Sequence, residues 1–131
     1  KVVNMSTRGE VRTADSIMIA GFVITGNVPK RVLIRGVGPT LAGFGVPDSL
    51  LNPIVKLYLG QTLVATNNDW GTGGDAATLS TVAAQIGAFP LDTGSKDSVI
   101  LITLAPGIYS AQVSGVGGTT GVVLLEVYEV P

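Results

Sequence analysis

The chain has 131 residues, enough for one domain that buries about two-thirds of its unfolded surface. It is 46% hydrophobic and 13% charged, with 8 Lys and Arg against 9 Asp and Glu, a net charge of −1, and no His or Cys. That balance excludes a disulfide framework and thiol chemistry, and it lacks the clustered basic charge that nucleic acid or an anionic membrane requires.

Short β-prone runs broken by Gly, Pro, Asn and Asp follow one another at near-regular spacing, the pattern of an all-β sandwich or barrel. The first predicted strand is Val2–Thr7, followed by a polar connection through Thr7–Glu10 and Thr13–Ser16. Ser16–Thr25 and Arg31–Val37 come next. Gly36–Pro53, with three Pro and four Gly around Leu41, Phe44, Val46, Leu50 and Leu51, reads as a crossover loop between two sheets, pinned by apolar anchors. Ile54–Leu59 and Thr62–Thr66 alternate about Gly60–Gln61 as a tight hairpin. Asp75–Gly87 alone changes period: Leu79, Val82, Ala83 and Ile86 fall at helical spacing. Asp75 suits an N-cap, Gly87 a C′ residue with Phe89 folding back, and the helix is expected across one opening of the sandwich. Ser98–Leu104, Ile108–Ser114 and Gly121–Glu129 complete the set. The expectation is one domain, 1–131: a two-layer β-sandwich, jelly-roll or Greek-key-like, of about eight to nine strands with one short helix near 76–86.

Mean hydropathy is +0.50, against a background in which charged residues normally make up about 25% of a chain. The longest apolar runs, around Val99–Ile102 and Val122–Leu125, reach about six residues where a spanning helix needs roughly 20, so no membrane insertion is expected. Ile17–Ile24, Val99–Ile102 and Val122–Val127 are apolar on both faces, unlike Tyr109–Ala111–Val113 or Val55–Leu57–Leu59, which alternate. Strands of the first kind are covered on both sides. A two-layer domain supplies one cover, so the loop, the helix and then a neighbouring molecule must supply the other. Near-neutral charge does little to keep copies apart.

Chemistry-bearing clusters are few. Asn67–Asn68–Asp69–Trp70, with Gly71, Gly73, Gly74 and Asp75, is the densest. Its default reading is an Asx-turn loop whose Trp plugs the core edge while Asp75 caps the helix. Two alternatives stand beside it: a Ca²⁺ site using Asn67, Asp69 and Asp75, although the spacing matches no defined calcium loop, and a carbohydrate site using Asn68 and Trp70. No metal or other cofactor is expected to be required. Arg31 and Arg35 share one strand face and are expected to pair with carboxylates such as Asp15, Asp97 or Glu126. Gly36–Pro39 has neither a following helix nor the lysine of a phosphate loop. Without His, the usual general base and the Ser–His arrangements are gone, and the acids sit mostly in turns, so no enzyme is expected.

Four segments carry a resemblance: NMSTRGEVRTADSIMIAGFVITG (4–26), PKRVLIRGVGPTLAGFGV (29–46), ATNNDW (65–70) and LAPGIYSAQVSGVGGTTGVVLLEVYEV (104–130). Together they resemble a module of about 130 residues, often in tandem, in large exported proteins of Verrucomicrobia and related environmental bacteria. The resemblance covers nearly the whole chain. It implies a secreted or surface-attached β-sandwich and carries no catalytic residues. Lys1 in place of an initiator Met reads as a processed piece of something longer. The expectation for function is therefore an extracellular module that assembles with copies of itself, as a fibre or surface-layer subunit or a tandem segment. Val2, Val3 and Met5 of the first strand and Val122, Leu124 and Val127 of the last are the expected contacts. The alternative is a carbohydrate- or surface-binding adhesin module using the Trp70 loop.

Overall fold

The computed structural model describes residues 4–11, 17–71 and 76–131. Its strands are β1 (Asn4–Val11), β2 (Met18–Ile24), β3 (Lys30–Val37), β4 (Pro53–Leu59), β5 (Thr62–Asn67), β6 (Ser98–Leu104), β7 (Gly107–Gly115) and β8 (Gly121–Val130), with one α-helix, α1 (Ala76–Gln85). Two antiparallel four-stranded sheets form, ordered β1-β8-β3-β6 and β2-β7-β4-β5. That order is a jelly roll, in which successive strands cross between sheets. The sandwich core lies between them, built from Val32, Ile34, Val55, Leu57, Ala111, Val113, Val123 and Leu125.

Thr7–Glu10 is strand here, where the sequence suggested a polar connection. Its register with β8 places Arg8 opposite Leu124 and Glu10 opposite Val122, so the polar side chains take the face away from the core. Thr13–Ser16 lies outside the described residues.

Helix α1 sits on the outer face of the first sheet and closes no opening of the sandwich, contrary to expectation. Leu79, Val82 and Ala83 join Leu33, Val99, Val130 and Trp70 in a second core on that face, with Leu101 and Tyr128 packed against it. This third layer explains why β3, β6 and β8 are apolar on both faces. The helix ends as a Schellman motif: Ala88 N–H donates to Ala83 O and Gly87 N–H to Ala84 O, with Gly87 at φ +78. Ala88 supplies the residue that folds back. Phe89 continues to Arg35 instead.

The 36–53 segment does cross between the sheets, and it contains a 3-10 turn at Pro39–Phe44. Leu41 and Leu50 anchor it in the interior, whereas Phe44 and Leu51 remain exposed. Past the end of β3, Asp48–Leu50 takes its place beside β8: Val122 N–H donates to Asp48 O, and Leu50 N–H donates to Val122 O. Leu50 O lies so near Gly38 that a Cβ there would meet it at 2.0 Å. The β4–β5 hairpin turns at Gly60 with φ +60, and a bulge opposite Leu57–Tyr58 leaves Val64 as the extra residue.

Candidate functional site

The Asn67–Trp70 loop is structural throughout its described part. Asn67 Oδ1 accepts from Val99 N–H at 3.1 Å, and Asn67 Nδ2 donates to Asp69 O at 3.3 Å. Both ends of the amide are thus committed to holding the loop against the edge of β6. Trp70 is 5% exposed, packed into the core beneath α1, with Nε1 donating to Asp92 O. Its ring offers no free face for a sugar to stack on, which corrects the ligand reading of Trp70, while Asn68 beside it is half-buried. Asp75 lies outside the described residues. Among the described residues no three of His, Cys, Asp and Glu gather as metal ligands would.

The strongest polar constellation is buried. Asp97, fully inaccessible, accepts Gly38 N–H (2.7 Å) and Thr40 N–H (3.3 Å) on Oδ1, and the Thr40 and Ser95 hydroxyls on Oδ2. Its backbone carbonyl accepts Trp70 N–H. The carboxylate thereby ties the crossover to the loop before β6, and the same residue's backbone carbonyl holds the Trp70 loop. Arg35 faces Glu126 across neighbouring strands and donates Nε to its Oε1 at 2.7 Å, with both side chains inaccessible. Its Nη1 donates to Phe89 O and its guanidinium lies 4.6 Å from the centre of the Phe89 ring. Tyr128 Oη donates to Glu126 Oε2. Glu126 is thus the expected carboxylate for Arg35, whereas Asp97 serves backbone donors. A small, partly open cavity of about 20 Å³ lies beside Arg35, between Leu33, Trp70, Leu79 and Val99; that is room for about one water.

Burial and the hydrogen bond to Glu126, then the Glu126 charge, hold the Tyr128 phenol well above its ordinary pKa, against a smaller opposing effect of Arg35. The unfolded chain releases this proton near pH 10, and the folded chain only at higher pH. Stability from this group is complete below about pH 10 and declines as pH rises above it. Urea titrations of wild type and Tyr128→Phe at pH 8 and at about pH 10.5 should show the alkaline decline reduced in the variant. An equal decline in both would refute this role.

The remaining surface feature belongs to the second sheet, whose outer face no helix covers. Ile19 and Val23 of β2, Leu63 of β5 and Ile108 of β7 are 59%, 57%, 49% and 71% exposed. Val23 and Ile108 are direct cross-strand partners. Lys56 is the one charged residue in these four strands. Ile108 was legible as outward-facing, because Tyr109, Ala111 and Val113 alternate with it. What the sequence did not show was that β2 and β7 would set their outward apolar residues side by side.

The contacts expected of the last strand need correction, whereas β1 does lie at an edge of its sheet. β8 lies inside its sheet, hydrogen-bonded to β1 and β3 on its two sides, so it has no edge to offer. Val127 is a buried core residue, Met5 packs against that core, and Val122 and Leu124 are half-buried. Val2 and Val3 lie outside the described residues.

No family model and no curated protein matches the sequence. Among solved structures the chain is similar to the pre-peptidase C-terminal domain of a collagenase from Bacillus anthracis. The TM-score is 0.57 at 13% identity, over 95% of this chain and 89% of that one. The likeness is one of fold.

Proposed function

We propose that this chain is an extracellular structural module, without catalytic activity, that associates with copies of itself in tandem or as separate subunits. The observation that supports it is the uncovered outer face of the second sheet, where Ile19, Val23, Leu63 and Ile108 stand exposed around one charge. The first sheet, equally apolar outside, is sealed by α1 and Trp70. Exposed apolar patches of a few hundred Å² on a soluble domain mark interaction surfaces. The resemblance to modules of exported proteins supports the extracellular setting. The fold shared with a C-terminal domain of a larger protein supports a modular role.

Sedimentation velocity across a dilution series tests this. The wild-type chain should associate by about 100 µM, a concentration that populates contacts of only about 5–6 kcal/mol. Val23→Lys combined with Ile108→Glu should remain monomeric there, while its unfolding midpoint stays close to wild type because both sites are solvent-facing and the opposite charges stand across from each other. A wild-type chain that is monomeric throughout overturns the reading.

A further inference from the structure

The two edges of the second sheet are β2 and β5. Neither MIAGFVI nor TLVATN contains a charged residue or a proline. Natural edge strands are commonly guarded by such residues, because an unpaired row of backbone groups templates pairing with another chain. The first sheet follows that practice at one edge and shields a single amide at the other. Its edge strand β1 carries Arg8 and Glu10, and at its other edge, β6, the Val99 amide is taken by Asn67. The bulge at Val64 is the one guarding device in the second sheet.

Strand direction makes its two edges complementary. β2, β7, β4 and β5 are each antiparallel to the next, so β5 runs opposite to β2. A copy placed alongside without inversion sets its β2 beside β5 of the first, antiparallel, and continues the alternation. Beside β2 the flank is open among the described residues. A groove of about 670 Å³ runs along Gly21–Gly26, lined by Met5, Phe22, Val32 and Val127 and also by Lys30 and Glu129. It gives the inward side chains of an added strand an apolar place to go.

We propose that copies join laterally by pairing β5 of one with β2 of the next, extending the second sheet from molecule to molecule. This rests on the self-association reading above and specifies its contact. The contact joins two different surfaces, so it does not close on itself and propagates as a row. A pair of strands of six to seven residues buries on the order of 500 Å² per copy, below the roughly 800 Å² of a standard interface. Single contacts are accordingly weak, and the rows are concentration-dependent. The occupant is a second copy because the two edge strands run in complementary directions, neither strand carries a charge, and the net charge of −1 sets little repulsion between molecules.

Amide hydrogen exchange on the wild-type chain, below and above its association concentration, tests the pairing. Edge amides of both Met18–Ile24 and Thr62–Asn67 should slow together by about tenfold or more on association. Val64→Lys should raise the concentration needed for association by about tenfold. Association with unchanged exchange in either strand overturns the lateral pairing and leaves self-association through the sheet face standing. A chain that never associates removes both.

Discussion

Asp97→Ala should lower the free energy of unfolding by about 3–5 kcal/mol, because two backbone N–H groups lose a buried acceptor at about 1–3 kcal/mol each and two hydroxyls lose theirs as well. The affected groups are Gly38 N–H, Thr40 N–H and the Thr40 and Ser95 hydroxyls. Gly38 is tightly packed, with Leu50 O 2.0 Å from where a Cβ would stand. Asp97→Asn keeps one oxygen, which can serve both amides, while the hydroxyls can rotate to accept from the new NH₂. Its loss should be about half that of the alanine variant. Urea unfolding measures both; an alanine variant losing less than about 1 kcal/mol contradicts the hub role.

Glu126→Ala should cost about 3–5 kcal/mol by leaving the inaccessible Arg35 guanidinium without its countercharge. Tyr128 loses its acceptor in the same variant. Arg35→Met strands Glu126 in turn, with Tyr128 Oη as its remaining hydrogen-bond donor among the described residues. Replacing both, by Met and Leu, removes both buried charges and should cost far less than the two single changes together. The same double-mutant cycle, read by urea unfolding, refutes this account if the two losses add. The pair's location matters for the outer face of the first sheet as well. It lies under Phe89 just past α1, on the face the helix seals, so its loss would loosen that cover and expose a second apolar sheet face.

The strand set was written in the sequence because each strand carries its own local signal. Ser98–Leu104 was read with its observed ends, and the hairpin at Gly60–Gln61 and the helix between Asp75 and Gly87 came from turn chemistry and a change of period. A carboxylate partner for Arg35 is expected from sequence, with Glu126 one of three candidates beside Asp15 and Asp97, since a charge in an otherwise apolar strand has few ways to be buried. The need for a second cover over Val99–Ile102 and Val122–Val127 was read correctly from their two apolar faces.

What covers those faces was a tertiary decision. Helical period says that α1 has an apolar side, not which surface it meets, so a lid over the sandwich end and a layer over the first sheet look alike in sequence. Trp70 illustrates the same limit: an aromatic in a polar Gly-rich loop reads as presented or buried, and only the packing of Leu79, Val82 and Leu33 around it decides for burial. Edges are the clearest case. Chain order makes β8 terminal, but jelly-roll pairing makes it internal and leaves β2 and β5 as the free, uncharged edges. Periodicity records which residues of a strand share a face; hydrogen bonding between distant strands alone determines which backbone groups remain open.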